Sequence, residues 1–360
     1  MARFPTIEDV AREASVSRQT VSNVLNAPDI VREETRERVR DVIDRLGYHP
    51  HASARRLRSQ YSSTIAIRMD PITNGISGSI LDRFLHDLTA RAAERGMRVL
   101  LFTATDPADE LAQLRALRDG ADVDAVVITS TYYGDPRIPW LIDAGMPFVS
   151  FGRPWGEEHA ESPDHRWVDV DGFAGVLDAT RHLIGRGIRR IGFLGWPAGS
   201  ATGDDRRRGW TTAMREQFDL TDHELELLTV RVEESVPGAR MAVEKLLPLR
   251  LVDALVCVSD SVALGAMMAV TEAGRRGFPV IGFDNTPVAK AVGLSSVDQR
   301  TDEIAATALD LLMGEQGHRV LTADEVTERS AHRLVAPKLI VRRSSHLTVV
   351  EEAGSDPGGN

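Results

Sequence analysis

Ser17-Arg18-Gln19, followed one helical turn later by Ser22-Asn23, is the first group in this 360-residue chain whose side chains could read another molecule. An arginine donates two hydrogen bonds to guanine, and a glutamine or asparagine pairs bidentately with adenine in a DNA major groove. A second group stands where expected strands end: Asp70, Arg153, Trp196, Ser259 and Asp284. In open α/β sheets, ligands sit beyond the carboxyl ends of the strands. Asp and Arg there present the paired acceptors and donors that vicinal hydroxyls require. The indoles of Trp155, Trp196 and Trp210 offer faces for the apolar side of a pyranose. Bond-making is not expected, and no catalytic residue is assigned. The chain has neither G-x-x-x-x-G-K-[ST] nor G-x-S-x-G, and Gly192, Gly195, Gly199 and Gly203 are too widely spaced for a dinucleotide fingerprint. His49-Pro50-His51 lacks the further ligands of a zinc site and Cys257 sits inside an apolar run, so neither metal nor cofactor is expected.

The elements that hold the first group are legible in local pattern. Thr6-Ile7-Glu8-Asp9 is a capping box, in which hydroxyl and carboxylate each satisfy an orphan amide. Ile7, Val10, Ala11 and Ala14 then recur at helical spacing. Ser15-Val16 interrupts the series, and Ser17 restarts it as the N-cap of a second helix with Val21, Val24 and Leu25 inward. Two short helices around a tight turn, with small Ala11 at their approach, make a helix-turn-helix. A third helix over 32–46 turns Val39, Val42, Ile43 and Leu46 inward and stops at Gly47. An ordinary solvated face would also be polar. The capped pair around it decides for a base reader, because such a helix enters the groove N-terminus first.

Between His49 and Gln60, Pro50 suits a helix start and Ala54-Arg55-Arg56-Leu57-Arg58 favours helix, but about two turns are marginal alone. A leucine flanked by arginines is what a minor-groove wedge requires: the apolar group opens a base step while the cations meet phosphates. An Arg-rich linker whose Leu57 touches the next domain is the plainer alternative.

Thr6-Ile7-Glu8-Asp9-Val10-Ala11, Val16-Ser17-Arg18-Gln19-Thr20-Val21-Ser22, Leu25-Asn26, Thr35-Arg36, Leu46-Gly47-Tyr48 and Ala54-Arg55-Arg56-Leu57 form an ordered run. In these residues the chain resembles the lactose-repressor family of bacterial transcription regulators. The resemblance implies that Arg18, Gln19 and Asn23 stand at base-reading positions and that Leu57 is the hinge leucine. The expected DNA contact set is Thr6, Ser17, Arg18, Gln19, Ser22, Asn23, Ala54, Leu57 and Arg58. The resemblance also implies effector contacts at Arg206, Ser259, Asp284 and Gln299, with Arg206 anchored by Gly209-Trp210; an Asn is common where this chain has Ser259. Ser15 stands where a turn glycine is usual in such motifs, so backbone strain is expected there.

From Thr64 onward, apolar runs over 64–69, 97–102, 123–128, 148–151, 190–194, 254–258 and 279–283 alternate with helical patterns. This βαβα rhythm gives parallel sheets covered by helices. So long a stretch exceeds one comfortable core, and two lobes are expected. The resemblance implies a doubly wound, periplasmic-binding-protein-like pair, crossed by the chain more than once, with an effector in the cleft. Expected boundaries are a helix-turn-helix domain over 1–49 and a hinge over 50–61. An effector-binding and dimerisation domain follows over 62–342, with lobes at 62–160 plus 290–325 and at 161–289 plus 326–342, then a flexible tail over 343–360. Asp260 and Asp284 also read as caps, and Trp210 as a buried helix residue. Asp169-Val170-Asp171 reads as a cap and domain brace ahead of a metal pair.

Composition narrows the classes. At 42% hydrophobic and 27% charged, the chain is not disordered, and it has no apolar stretch near the ~20 residues of a membrane helix. One cysteine and the lack of an apolar leader fit a cytoplasmic protein without membrane contact, and the resemblance implies a bacterial, nucleoid-associated one. Net charge is −10, yet residues 1–60 hold eleven Arg against nine Asp and Glu, so DNA contact must come from the front end. The expected partners are near-palindromic double-stranded operator DNA, a second copy of the chain, and a small effector. A mono- or disaccharide is the first candidate, and a purine or other metabolite the alternative. An α/β sugar-binding enzyme is the remote one. No heptad series follows Arg343, so a homodimer is expected rather than a tetramer.

Leu57→Ala should weaken binding to a specific operator at least tenfold more than binding to random duplex, because a wedge acts only in a kinked complex. Gel shifts on both DNAs measure this, and equal losses would remove the wedge reading.

Overall fold

Apolar residues at helical spacing close the front of the chain into three helices: α1 (Ile7–Glu13), α2 (Arg18–Asn26) and α3 (Glu33–Leu46). The structure, a computed structural model, describes residues 5–48, 61–69, 78–156, 162–315, 317–322, 325 and 331–346. Ala54, Leu57, Arg58 and Asp70, the expected hinge except Tyr61, and His49-Pro50-His51 lie outside the described residues. Contacts divide the chain into two units, 1–62 and 63–360. The core of the first is Val10, Ala11, Ala14, Val21, Val24, Val39, Val42 and Tyr48. Leu25, expected inward, is instead 37% exposed, because the short helix already fills its inner face with Val21 and Val24.

Capping sets the turn between α1 and α2. Thr6 and Asp9 form the reciprocal box expected of them, and Ser17 accepts the Thr20 amide at 3.0 Å. At the end of α1, the Val16 amide donates to Ala11 O (2.9 Å) and the Ser15 amide to Arg12 O (3.3 Å). That is the paired closure of a Schellman motif, which places its C′ residue in the left-handed region. Ser15 occupies it with φ +54°. The strain anticipated from the missing glycine is therefore present, at a cost of about 1 kcal/mol.

The second unit opens with β1 (Thr64–Arg68), α4 (Ser79–Glu94), β2 (Arg98–Phe102), α5 (Pro107–Asp119), β3 (Ala125–Ile128), α6 (Arg137–Asp143), β4 (Phe148–Phe151) and β5 (Arg166–Val170). It continues through α7 (Gly172–Ile184), β6 (Ile191–Gly195), α8 (Thr202–Gln217), α9 (Asp222–Leu227), β7 (Thr229–Arg231) and α10 (Val236–Leu246). Next come β8 (Ala254–Cys257), α11 (Asp260–Glu272), β9 (Val280–Phe283), α12 (Pro287–Val292) and β10 (Ser295–Asp298). It ends with α13 (Thr301–Met313), β11 (His332–Val335) and β12 (Lys338–Ile340).

Two six-stranded sheets result, ordered β11-β5-β4-β3-β1-β2 and β12-β10-β9-β8-β6-β7. Every pairing is parallel except that of β10 with β12. Strands such as Ala125–Ile128 and Ala254–Cys257 are buried throughout, as parallel strands covered on both faces must be. The chain crosses between lobes after β5, after β10, and between β11 and β12. Gly175 of α7 sits where these crossings crowd: a Cβ there would stand 2.8 Å from Val297 Cγ1 and 3.0 Å from Pro337 Cγ.

These crossings move the expected lobe boundaries. β5, expected in the second lobe, joins the first sheet between β4 and β11. β10, expected in the first, pairs with β9, and the stretch 326–342, expected wholly in the second lobe, supplies two strands in different sheets. The reason is polar content. Arg166 of β5 is buried with its guanidinium on the carbonyls of Leu311 and Leu321, and Ser295 and Ser296 of β10 bond Arg342 O and Asp260. Internally satisfied polar groups do not read as an apolar run. Residues 343–346, expected to begin a flexible tail, are instead held by the second lobe. Ser344 donates to Val280 O at 2.6 Å and Ser345 is buried against Ser295. Among the described residues, no helix is long and apolar enough to cross a membrane.

Replacing Ser15 with Gly should relieve the left-handed strain and stabilise the helical unit by about 0.5–1 kcal/mol. Slower hydrogen exchange at the Val10 and Ala14 amides would show it; unchanged exchange would place no strain at the turn.

Candidate functional site

Helix α2 presents the base-reading group. Ser17, Arg18 and Gln19 are exposed, with Ser22 and Asn23 half-buried on the same side. Gln19 Nε2 donates to Asn23 Oδ1 at 2.9 Å, which aligns two amide side chains of the kind that pair with adenine. Arg18 meets Glu8 at 3.1 Å, but both side chains are exposed. Such a pair is worth at most about 1 kcal/mol, so it leaves the guanidinium able to exchange partners. Thr6 is committed to its cap, where its hydroxyl donates to Asp9 at 2.7 Å. Those hydrogen bonds, Thr6's first among them, hold the Asp9 carboxyl down at about 2.

The second group converges at the carboxyl ends of the strands. Arg206, on α8, is fully enclosed. Its Nη1 donates to Val258 O at 2.6 Å and lies 3.9 Å from Asp284 Oδ1. Its guanidinium lies 3.7 Å from the Phe283 ring centre and 5.5 Å from that of Trp196. Its Nε is buried with no hydrogen-bond partner among the described residues. Asp284 follows β9 at φ +107°, and Gln299 Nε2 donates to its Oδ1 at 2.6 Å. Burial pushes the Asp284 carboxyl up to about 8 despite Arg206, and the charge of Asp260 acts in the same direction.

Arg153, beyond β4, bridges the lobes. Its Nε donates to Asp169 of β5 at 2.8 Å, and its Nη2 to Asp205 of α8 and to Val170 O, both at 3.2 Å. Trp196 Nε1 donates to Glu234 at 2.6 Å, and the Ser259 hydroxyl donates to the same carboxylate at 2.8 Å while accepting the Val262 amide at the start of α11. Gly172 permits the packing between these parts: a Cβ would stand 3.2 Å from Arg206 Cγ and 3.4 Å from Asp205 Oδ2.

Six residues expected at a binding site are thus linked into one cluster: Arg153, Trp196, Arg206, Ser259, Asp284 and Gln299. Trp210 stands apart, fully buried with its indole N–H on Ile191 O at 3.2 Å. Asp171 caps α7 and Asp169 is the brace, while Asp260 is tied to Ser296 and the Thr286 amide. Cys257 is buried and burial pushes its thiol up, leaving it unreactive. Among the described residues, no group of three metal-type ligands converges. Asp205 and Glu234 are the members that sequence reading missed. Glu234 follows β7, too short a strand to be recognised, and Asp205 resembles the ordinary acidic first turn of a helix.

Because Asp284 is held neutral, its contribution to stability is complete below the unfolded carboxyl pKa near 4. It is lost as pH rises to about 8, where the unfolded chain is already ionised. Asp284→Asn should remove that loss. Urea unfolding should show the variant gaining on the parent by at least about 1 kcal/mol between pH 4.5 and pH 8; a constant difference would mean an ordinary carboxylate.

Residues 6–51 match the model of bacterial regulatory proteins of the lacI family, and residues 180–345 that of the periplasmic binding protein-like domain. The HTH-type transcriptional regulator CelR of Thermobifida fusca is 31% identical, over 87% of this chain and 93% of its own. The HTH-type transcriptional repressor PurR of Salmonella paratyphi A is 28% identical over 94% of this chain and 96% of its own. Among solved structures, a transcriptional regulator CelR–cellobiose complex superposes with a TM-score of 0.66 at 28% identity, covering 94% of this chain and 99% of that one. These relatives regulate transcription and are not enzymes. On the strength of an N-terminal unit that presents a DNA-reading helix, a two-lobed parallel α/β unit following it in sequence and this extent of likeness, the chain belongs to the lacI family of bacterial regulatory proteins.

Proposed function

We propose that this DNA-binding transcriptional regulator is a repressor of carbohydrate-utilisation genes, released from its operator by a saccharide held between the two lobes. The carrying observation is the cluster around Arg206: two guanidiniums, two neighbouring indoles, three carboxylates (Asp169, Asp205 and Glu234) and the neutral carboxyl of Asp284, gathered at the strand ends. Acceptors outnumber cations there, which suits a neutral ligand rich in hydroxyl donors and does not suit a phosphate. Asp284 and Gln299 supply paired polar groups, the orphan Arg206 Nε is a donor awaiting an acceptor, and Trp196 gives a face for C–H groups. The cellobiose complex of a relative supports the same reading. The likeness to a purine repressor keeps a purine effector as the second reading, with the same cluster as its site.

In this reading the DNA contacts come from Ser17, Arg18, Gln19, Ser22 and Asn23, joined by Ala54, Leu57 and Arg58. Two copies of the chain set two α2 helices on the halves of a near-palindrome. Arg153 holds Asp169 and Asp205 from opposite lobes. A ligand that competes for those carboxylates, or bridges them differently, changes which cleft angle is favoured. Its differential affinity for the two angles is the whole of the coupling, typically about 1–3 kcal/mol.

A thermal-shift screen of mono- and disaccharides against purine bases tests this. A saccharide at a hundred times its Kd should raise the melting temperature by about 5 °C and weaken an operator gel shift. Arg206→Ala should abolish both responses and leave operator binding without ligand intact. A normal response in the variant, or one confined to purines, would overturn the assignment.

A further inference from the structure

We infer that the first lobe carries an aromatic subsite for the outer ring of a two-ring saccharide, so that the effector is a disaccharide. The inference deepens the saccharide reading and rests on it. A cavity of about 380 Å³ opens between the loops that follow β3 and β4, lined by Thr131, Tyr132, Tyr133, Pro139, Pro154 and Trp155. That lies at the small end of the ~300–1,000 Å³ range of ligand pockets, room for one ring rather than two. Tyr132 and Tyr133 are 39% and 50% exposed, which is unusual for rings that serve only packing. Tyr133 and Trp155 meet edge to face at 6.4 Å, a two-walled corner for the C–H face of a pyranose. The Trp155 indole N–H is buried with no hydrogen-bond partner among the described residues. A ligand hydroxyl would satisfy it.

The corner is preformed. Arg137, 2% exposed, donates to Thr129 O (3.1 Å) and Ser130 O (3.2 Å), is paired with Asp135 at 2.6 Å and Glu110 at 2.9 Å, and so clamps the loop that carries both tyrosines. Gly152, at φ +119°, brings the second loop so near that a Cβ would stand 2.5 Å from Thr131 Oγ1. Thr131 in turn donates to Arg153 O at 2.9 Å. With Arg68 at 3.3 Å from Glu110, two guanidiniums balance two carboxylates, so the cavity suits a neutral ring and not an anion. Arg153 links it to the Arg206 cluster. The Arg153 guanidinium lies 4.9 Å over the Trp155 ring and bonds Asp205, the neighbour of Arg206 on α8. A single side chain, Arg153, therefore stands between a ring bound at the cluster and one bound in the aromatic corner.

Calorimetry on the full chain with glucose, galactose, cellobiose, maltose and lactose tests it, with hypoxanthine and guanine in parallel. At least one disaccharide should bind at least tenfold more tightly than either of its constituent monosaccharides. Tyr133→Ala, at a half-exposed position that folding tolerates, should reduce that ratio roughly tenfold, as should Trp155→Ala. Equal binding of one- and two-ring sugars, or a ratio unchanged in both variants, would overturn the subsite and leave the saccharide reading standing. Binding of a purine with no saccharide bound would overturn that reading, and the subsite with it.

Discussion

One guanidinium ties the two lobes together in their observed arrangement. Arg153 is anchored beyond β4 of the first sheet and reaches Asp169 on β5 and Asp205 on α8 of the other lobe. Burial disfavours its charge, but the two carboxylates outweigh that and raise its pKa. Removing one partner of so enclosed a network costs about 3–5 kcal/mol, because the remaining charges lose their compensation. The bridge is therefore strong while intact, and in the proposed reading a ligand displaces it only by compensating those charges with its own contacts.

The connections that let such a clamp move are few. Among the described residues the chain passes between lobes after β5, after β10, and between β11 and β12, and two of those passages abut the cluster: a Cβ on Gly172 would stand 3.2 Å from Arg206 Cγ, and Gln299 holds Asp284. A shift in cleft angle must be absorbed in these short segments. The same residues that would sense a ligand thus flank the joints that a ligand would turn. Asp284 and Asn285, both at positive φ after β9, store backbone strain beside the β10 passage, where Gln299 holds Asp284.

How far this was legible in the sequence depended on whether a residue's partner was local. The Thr6–Asp9 box, the Ser17 cap and the left-handed turn at Ser15 each rest on neighbours within five residues, and each was readable. Apolar strands such as Ala125–Ile128 and Ala254–Cys257 were equally plain. β5 and β10 were not, because the carbonyls that satisfy Arg166 and the groups that satisfy Ser295 lie far away in sequence. Misplacing those two strands misplaced the lobe boundaries. Glu234 was lost for the same reason, since a strand of three residues gives no period to detect. The convergence of Arg206, Asp284 and Gln299 came from resemblance and strand ends, and only the fold shows that Arg153 and Trp196 join them.

Charge in the front sixty residues bears on how such a protein holds DNA. The three-helix unit over 5–48 has seven Arg against nine Asp and Glu, so it is acidic by two charges. Four of its arginines are already paired, with Asp9, Glu8, Glu33 and Glu13. The surplus of the first sixty residues comes from Arg3, Arg55, Arg56 and Arg58. Phosphate contacts supply most non-specific affinity, and each neutralised phosphate steepens its salt dependence. In the proposed reading, α2 therefore contributes selection more than grip, and the grip resides in the arginines around Leu57. A regulator built this way need not disturb its base-reading helix to leave an operator. It is enough that the clamp behind it stops presenting two copies of that arginine cluster at the spacing the duplex requires.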